Sequence, residues 1–400
     1  MDAVGTLVIG AGVIGSAVAM HLADMGAEDV YVVDPDLAGA RSSSERNAGG
    51  VRANWWQPVN VALSVATIDW LGAIAAEVAF RQHGYLWMYD ETLWPGAQAH
   101  AGLQRALGRE VELLSAHDVA DRFRMIDRLG GVAGATLTPS DGLVNSNAVK
   151  EGLRARARAA GAHFVDRALV TGFEHSGRRV ESVRLARLSN EGEAARALEG
   201  SGAPLGSEDV FPQTIVNASG PWSATVSGLL GSPGHSHPIR RQVSLVASRD
   251  VDLSGVGMIV DTSGAYLHHE GGDTFLAGYS PPGDPHGIDF TYDAYAFFEA
   301  ELWPRLVGRM SAMDRLEYRG GWAGLYDMSE DGSAILGLVP GLENVYEAHS
   351  FSGRGVMQSW AAGRALAELM LTGGFRTIDA SALSAERFAL GRHLTEPLHI

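Results

Sequence analysis

The first apolar positions of the chain predict a strand, a tight turn and a helix. Residues 6–9 form a short apolar run rich in strand formers, and apolar residues then recur at helical spacing from Val13 to Leu22. A second apolar run over 30–33 ends at Asp34. The order and length of these elements are typical of a βαβ unit.

The same patterning predicts the remaining elements. Helices are expected over 58–80, 97–107, 115–123, 145–160, 292–303 and 354–371, and strands over 85–89, 163–165, 180–187, 211–217, 242–247, 258–261, 265–268 and 274–278. Gly- and Ser-rich turns join the strands from 242 onward, which predicts an antiparallel sheet. Segment 188–209 lacks periodicity and is interpreted as a hairpin insertion or a flexible loop.

A glycine motif lies at the first strand-to-helix junction. In Gly-x-Gly-x-x-Gly, Gly10 permits the turn, Gly12 lets a pyrophosphate approach backbone N–H groups, and Gly15 packs the helix on the strand. Asp34 follows at the distance at which a carboxylate accepts hydrogen bonds from the hydroxyls of an adenosine ribose. The alternative is a structural glycine turn in an unrelated α/β fold.

Composition narrows the class of protein. A length of 400 residues with 46% hydrophobic residues suits two domains, and no apolar run approaches the roughly 20 residues of a membrane span. The absence of cysteine excludes disulfides, thiolate ligands and thioether-bound cofactors, and it favours a cytoplasmic location. A net charge of −16 argues against a nucleic-acid partner, and a single lysine, Lys150, argues against Schiff-base chemistry.

Three later glycine segments favour FAD over NAD. Residues 42–52 combine hydroxyls, glycines and Arg52, so that backbone can approach a flat ring; residues 216–222 are a strand followed by a turn of small residues. Residues 351–357 place a glycine turn at a helix start, whose positive dipole end would face an anionic ring.

These segments resemble the FAD-dependent D-amino-acid-oxidase-type family. The matching motifs are VIGAGVIGSAVAMHLA, NAGGVR, VNASGPWS, WAGLYDMSEDGSAILG and HSFSGRGVMQSWAAGRALAEL, and they span nearly the whole chain in family order. The family includes glycine and sarcosine oxidases and the beta subunit of dye-linked L-proline dehydrogenase. FRTIDASALSAERFALG is further similar to the mitochondrial FAD-dependent oxidoreductase domain-containing protein.

The resemblance implies an α/β fold in two domains. A Rossmann-like FAD-binding domain would comprise 1–84, 145–222 and 320–400, and an antiparallel-sheet substrate domain would comprise 85–144 and 223–319. The residues expected to contact FAD are Gly10, Gly12, Val13, Ile14, Gly15, Asp34, Ser42, Ser43, Ser44, Asn47, Ala48, Gly49, Gly50, Val170, Ala218, Gly220, Trp222, Gly324, Ser352, Gly353, Arg354, Gly355, Val356 and Met357.

Four positions depart from the family pattern. Gly324 replaces the cysteine that binds flavin covalently in sarcosine-oxidase relatives, and Asn47 replaces the histidine used by dimethylglycine-dehydrogenase relatives, so non-covalent FAD is expected. Leu276 falls where oxidases carry an oxygen-activating lysine, and Met357 where they carry a carboxylate-binding lysine. The electron acceptor and the exact substrate are therefore left open.

Four residues are candidates for the substrate side. Arg52 matches the family arginine that binds a substrate carboxylate, although a structural ion pair is the alternative. Arg354 opposes the dipole at a helix start, so it has either an anionic neighbour or a surface role. Tyr266 and His268 alternate along one strand and would face the same side. No metal site is expected, because His235 and His237 lack a third ligand.

The resulting hypothesis is oxidation of a C–N bond in an amino acid or N-substituted amino acid, by hydride transfer to the flavin N5 and hydrolysis of the imine. Oxidation of a 2-hydroxy acid on the same scaffold is one alternative. An FAD-containing assembly or partner-binding protein is the other. A homo-oligomer or a hetero-oligomer is compatible both with an enzyme and with a partner-binding protein.

Overall fold

The computed structural model describes residues 4–201 and 206–398. The strands are β1 (Val4–Ile9), β2 (Val30–Val33), β3 (Gly50–Val51), β4 (Tyr85–Tyr89), β5 (Glu112–Leu114), β6 (Gly134–Leu137), β7 (Gly142–Leu143), β8 (His163–Val165), β9 (Ala168–Ser176), β10 (Arg179–Arg187), β11 (Ser207–Val210), β12 (Pro212–Asn217), β13 (Ser236–Ala247), β14 (Met258–Val260), β15 (Tyr266–Gly271), β16 (Thr274–Tyr279), β17 (Glu317–Ser329), β18 (Ile335–Leu338) and β19 (Val345–His349).

The α-helices are α1 (Val13–Asp24), α2 (Pro58–Ala73), α3 (Trp94–Ala106), α4 (Ala116–Arg122), α5 (Ser146–Ala159), α6 (Glu191–Leu198), α7 (Ser223–Leu229), α8 (Trp303–Arg309), α9 (Gly355–Thr372) and α10 (Glu386–Ala389). Short 3₁₀ turns cover Gly220–Trp222, Ser311–Arg315 and Ser381–Leu383, and Ala294–Leu302 winds as a π-helix. None of the helices in the described residues is long and apolar enough to cross a membrane.

A six-stranded sheet carries the N-terminal motif. Its strand order is β18-β19-β12-β1-β2-β8, and all neighbours are parallel except β18 and β19. Both faces are covered, because α1 packs with α5 and α9 on one side and the sheet β11-β10-β9 packs on the other. This double burial explains why β1 and β2 read as nearly continuous apolar runs.

An eight-stranded sheet forms the second layer, in the order β17-β13-β16-β15-β14-β4-β6-β5. Its strands are antiparallel, as predicted, except that β14 runs parallel to β4. One face carries Leu86, Ile259 and Phe275 and packs on the π-helix and α8. The other carries Tyr85 and Tyr266 and is turned toward the six-stranded sheet. The α/β fold class is confirmed.

The predicted domain division meets the sheets at one strand. β17 pairs with β13 along most of its length, so the boundary expected at residue 320 falls inside a strand of the eight-stranded sheet. The division itself stays a prediction. β17 belongs to the eight-stranded sheet on both sides of residue 320.

Several predicted elements differ from the structure: the strand expected over 242–247 begins at Ser236, and the helix expected over 292–303 is a π-helix. The helix expected over 58–80 ends at Ala73, because the following turns bring Arg81 into backbone pairing with Leu143, a contact that outweighs helical periodicity. Segment 188–209 contains α6, which Asn190 caps by accepting a hydrogen bond from the Glu193 N–H. β11 then pairs antiparallel with β10, which matches the hairpin alternative; residues 202–205 lie outside the described part of the chain.

Candidate active site

The glycine motif forms the turn between β1 and α1. Gly10 has φ +101°, and an added Cβ would lie 2.5 Å from the carbonyl oxygen of Ala218, which directly follows the neighbouring strand β12. A Cβ on Gly15 would lie 1.9 Å from the carbonyl oxygen of Gly10. Gly12 has space, since its Cβ would meet only Ser44 Oγ, at 3.6 Å. Gly10 and Gly15 therefore allow close packing, whereas Gly12 keeps the helix N-terminus open.

Asp34 follows the last residue of β2 and is held by backbone donors. Its carboxylate accepts hydrogen bonds from the N–H of Ala11 at 2.6 Å and the N–H of Asp36 at 2.8 Å. Burial raises the pKa of Asp34 to about 6, although the two N–H donors oppose this shift. The carboxylate is ionised at neutral pH and can accept further hydrogen bonds.

A cavity of about 310 Å³ runs from this motif toward the eight-stranded sheet. The predicted cofactor residues that line it are Gly10, Gly12, Val13, Ile14, Asp34, Ser42, Ser43, Ser44, Asn47, Ala48, Val170, Ala218, Gly220, Trp222, Gly324, Ser352, Gly353, Gly355 and Val356. Segments far apart in the sequence thus meet along one elongated space.

Two predicted contacts do not line a cavity. Gly15 lies behind the motif, as its packing on Gly10 requires. Gly49 has φ +76°, and its Cβ would lie 2.5 Å from the carbonyl oxygen of Val144, so this glycine lets two chain segments approach. Both residues shape the surrounding backbone.

Sequence reasoning missed the wall formed by the end of β17 and the start of the 349–352 turn. Asp327 lines the large cavity and accepts hydrogen bonds from the Ser350 N–H at 2.6 Å and from Ser223 Oγ at 3.0 Å, both through Oδ2. Its buried Oδ1 has no partner among the described residues. Its place within β17 and within the WAGLYDMSEDGSAILG motif is the signal that could have suggested it.

His349 lies beside Asp327 in the same wall. Its Nε2 is 3.1 Å from Glu347 Oε2, and its Nδ1 is 2.7 Å from Ser350 Oγ. Burial opposes protonation, but the hydrogen bond and attraction of Glu347 raise the pKa of His349 overall. A buried cluster of alternating charge therefore borders the cavity.

A second, small cavity of about 40 Å³ adjoins the large one. The two share six lining residues, which are Asn47, Ala48, Tyr266, Tyr326, Ser352 and Gly353. Gly50, Arg52, Arg354 and Met357 line only the small cavity, which separates them from the predicted contacts along the elongated space.

Arg52 is 2% exposed and lies between aromatic rings. Its guanidinium carbon is 3.6 Å from the ring centroid of Trp55 and 4.2 Å from that of Trp87. Nη1 donates to Asn54 Oδ1 and Nη2 donates to the backbone carbonyl of Leu398, both at 2.7 Å. Its described partners are neutral, so they do not supply the internal carboxylate of the structural alternative.

Arg354 is 1% exposed and precedes α9 as its N-cap. Its guanidinium carbon lies 4.7 Å from the ring centroid of the same Trp55. None of its three side-chain nitrogens has a hydrogen-bond partner among the described residues. Burial lowers the pKa of Arg354 to about 10, so the side chain stays charged at neutral pH. The surface alternative considered for this residue is wrong.

Tyr266 and His268 share one face of β15, as predicted, but only Tyr266 lines the cavities. His268 Nε2 donates a hydrogen bond to the carbonyl oxygen of Ala48 at 2.8 Å. Burial lowers the pKa of His268, which favours the neutral imidazole. His268 is therefore placed to hold the loop around Ala48, not to contact a molecule in either cavity.

The positions that depart from the family pattern also have structural surroundings. A Cβ on Gly324 would lie 3.0 Å from Arg46 Cβ, so this glycine allows β17 to approach the 42–52 loop. Leu276 of β16 is buried among the apolar residues of the sheet, where it lies opposite His268 of β15. Met357 lines the small cavity with an uncharged side chain.

Within residues 4–201 and 206–398, no group of three or more His, Asp or Glu side chains could hold a metal ion. His235 lies 2.8 Å from Glu330, and His237 stacks on His286 with ring centroids 3.7 Å apart. His235 and His237, the second of which lies in β13, therefore have separate partners.

Comparison with known proteins decides the family. The family model described as FAD dependent oxidoreductase, DAO, matches residues 6–369. The chain belongs to this family of FAD-dependent oxidoreductases. The match covers most of both large sheets and all the lining residues of the two cavities except Leu398, and it confirms FAD as the cofactor of the family to which the chain belongs.

Individual relatives agree with this assignment. The chain is 30% identical over 424 residues to FAD-dependent oxidoreductase domain-containing protein 1 of Bos taurus, covering 98% of this chain and 86% of that protein. The crystal structure of L-proline dehydrogenase from P. horikoshii shares the fold, with a TM-score of 0.84, 22% identity and coverage of 98% and 99% of the two chains. Glycine oxidase from Geobacillus kaustophilus gives a TM-score of 0.77 at 20% identity, covering 96% and 98%.

The residues present fit FAD. The open position of Gly12 leaves the N-terminus of a twelve-residue helix facing the large cavity, which suits a pyrophosphate. Asp34 offers a carboxylate to hydroxyl donors at one end, and the unpartnered Oδ1 of Asp327 lies in the wall further along. The elongated space thus offers partners for both phosphate and hydroxyl groups.

Proposed function

We propose that the chain oxidises a C–N bond of an amino acid or N-substituted amino acid whose carboxylate is bound by Arg354 together with Arg52. The observation that carries this proposal is Arg354, a buried guanidinium at the small cavity whose nitrogens have no described partner. Burying a charge without a partner costs on the order of several kcal/mol, unless a ligand supplies the opposite charge. A carboxylate is the ligand that matches a guanidinium in shape and charge.

The charges around the small cavity favour a substrate with one negative charge. Arg52 and Arg354 contribute two positive charges, and attraction to the buried Glu396 opposes the lowering of both pKa values. Glu396 is itself held by the backbone N–H groups of Trp56 and Gln57. One positive charge remains, and an amino acid with a neutral amine would balance it.

The remaining lining supports oxidation without a protein base. Tyr85, Tyr266 and Tyr326 line the small cavity, and burial raises the pKa of each, so they stay protonated. The described lining contains no carboxylate and no histidine. The residues of the large cavity would hold FAD, which would supply a two-electron acceptor for the hydride lost from the carbon beside the substrate nitrogen, and water would hydrolyse the resulting imine.

The protein's own contribution is orientation and charge. The two arginines would fix the carboxylate, and Tyr266 and Tyr326, which line both cavities, would limit the substrate to one approach. Binding of FAD without a covalent bond belongs to the same proposal, because Gly324 and Asn47 offer no nucleophile. A cytoplasmic location is also part of this proposal, which assigns no electron acceptor.

The test is anaerobic flavin reduction by a panel of amino acids, N-methyl amino acids and 2-hydroxy acids. With the best substrate, Arg354→Ala should lower apparent affinity about ten- to a hundredfold, the effect of losing about 1.5–3 kcal/mol of charge-assisted hydrogen bonding. Arg52→Ala should have a smaller effect, because its guanidinium already has two partners. Arg354→Lys should recover part of the loss.

Arg249→Ala is the matched control, since the Arg249 side chain is 89% exposed and does not belong to the lining of either cavity. Titrations are normalised to FAD content and the flavin spectrum is recorded for each variant. Unchanged substrate dependence in Arg354→Ala would contradict the anchor. Reduction by 2-hydroxy acids alone would move the chain to that reaction, and no reduction by any compound would favour a partner-binding protein.

A further inference from the structure

Residues 394–398, called the C-terminal strap below, close the small cavity on the side of Arg52. The strap has no regular secondary structure. Leu398 is 1% exposed and lines the small cavity, and its carbonyl oxygen accepts the 2.7 Å hydrogen bond from Arg52 Nη2. A residue more than three hundred positions from Arg52 in the sequence therefore completes the site.

The strap is fixed by hydrogen bonds along its length. Glu396, 1% exposed, accepts hydrogen bonds from the N–H groups of Trp56 and Gln57 at the start of α2 and from Asn60 Nδ2 at 3.0 Å. Ser333 Oγ donates to the carbonyl oxygen of Leu394. A carboxylate at the N-terminus of a sixteen-residue helix is also favoured by the helix dipole. These contacts make the strap a built wall of the site.

The dimensions give this wall a consequence for the substrate. A volume of about 40 Å³ is the space of about three water molecules. It accommodates a carboxylate and the atoms next to it, so little room is left for a side chain on the side of the strap, away from the large cavity. The strap supplies Leu398 as an apolar boundary at the side of Arg52.

We infer that Leu398 determines the largest side chain that the substrate cavity admits, and that the chain accepts small amino acids or N-methyl amino acids. The inference rests on the proposed function for the identity of the substrate. The wall itself does not depend on turnover, so it is tested with carboxylates that cannot react.

The experiment measures binding of acetate, propionate, butyrate and hexanoate to the FAD-loaded full chain, through the shift of the flavin absorbance bands. In the unmodified protein, affinity should fall by about tenfold or more for each methylene that no longer fits. Leu398→Ala should bind hexanoate at least about tenfold more tightly while acetate changes little. Leu398→Phe should weaken propionate and butyrate, in the opposite direction.

Leu390→Ala is the matched control, because Leu390 lies in the same part of the chain but is 59% exposed. FAD content and unfolding midpoint are recorded for all variants, and Leu398→Phe keeps the test valid if Leu398→Ala does not fold. Equal length dependence in the Leu398 and Leu390 variants would overturn the inference. Tight binding of hexanoate to the unmodified protein would overturn it as well, since the strap would then move aside.

The outcomes separate this inference from the proposed function. If carboxylates bind with the expected length dependence but no amino acid reduces the flavin, the wall stands and the proposed reaction fails. If amino acids reduce the flavin and Leu398→Ala leaves the length dependence unchanged, the reaction stands and the wall fails. If no carboxylate binds, both fail.

Discussion

The two ends of the joined cavities are built in different ways. The dinucleotide end, from Gly10 to Asp34, comes from one continuous βαβ unit held by backbone hydrogen bonds. The arginine end brings together Arg52, Arg354 and Leu398 from three distant segments around Trp55. Local geometry therefore fixes the first end, whereas the second end exists only when the two sheets and the C-terminal strap are packed together.

This difference predicts how each end responds to change. A substitution at the dinucleotide end should act through one local contact, and its effect should be confined to FAD. A substitution at the arginine end should change ligand binding and leave FAD content nearly unchanged. The following predictions test or sharpen that contrast.

The largest effect is expected for Gly12→Val. The valine side chain would occupy the open space beside Ser44 that leads to the N-terminus of α1, where a pyrophosphate would bind. FAD affinity should fall by at least about a hundredfold, or about 2.7 kcal/mol. The measurement is the FAD content of purified protein and titration of the apoprotein.

Gly102→Val is the control for this prediction. Gly102 lies in α3, and nothing is found within 4 Å of its added Cβ. A Gly12→Val protein with full FAD content would show that the cofactor does not approach this turn, and the local character of the dinucleotide end would be lost with it.

A second prediction concerns oxygen as an acceptor. Leu276 carries no charge where oxidases of the family carry a lysine, and the only lysine of the chain, Lys150, forms an ion pair with Glu45. Because a leucine at this position cannot stabilise an anionic oxygen species as a lysine would, reoxidation of reduced protein by air should be roughly a hundredfold slower than by dyes or quinones. Stopped-flow reoxidation measures both rates, and comparable rates would contradict the prediction.

The smallest effect is expected for the pH dependence of FAD binding. Because burial raises the pKa of Asp34 to about 6, its carboxylate is ionised above that pH and protonated below it. The ionised form is the stronger acceptor, so affinity should be constant above about pH 7 and fall at lower pH by up to about tenfold per unit. The measurement is the titration of the apoprotein with FAD between about pH 5 and about pH 8.

Asp34→Asn should lose this pH dependence and bind FAD more weakly at neutral pH, because an amide oxygen is a weaker acceptor. A parallel pH profile in the unmodified and Asp34→Asn proteins would assign the titration to another group. His349, whose pKa is raised by Glu347 in the wall of the large cavity, would then be the next residue to change.

The fold was predictable where the pattern of apolar residues and the tertiary contacts agree. β1, α1 and β2 lie close to the expected positions, and α5 covers most of the helix expected over 145–160, with Asn145 as its N-cap. The end of α2 was mispredicted because pairing of Arg81 with Leu143 stops the helix at Ala73. α6 was missed because its eight residues are mostly small and charged, and only Ala194 and Leu198 are buried. Leu198 lines the large cavity, a contact that the sequence does not show.

In the candidate site, too, some residues were predictable from sequence position and others depended on tertiary contacts. Sequence position placed Arg52 and Tyr266 near a cofactor, but it could not show that His268 is held by the Ala48 carbonyl and lies outside both cavities. It also did not single out Asp327, although this residue lies within the WAGLYDMSEDGSAILG motif, and it could not find Leu398, which belongs to no motif with a recognisable spacing. Their roles depend on which segments face one another.

The sequence alone determined the dinucleotide unit, since a strand, a glycine turn, a helix and Asp34 need only short-range geometry. Tertiary structure decided the rest of the site, because burial and partner choice depend on distant segments. Arg52 has neutral partners, Arg354 has none described, and Leu398 bounds the space between them. A buried charge without a partner becomes visible only when the packing that removes its water is known.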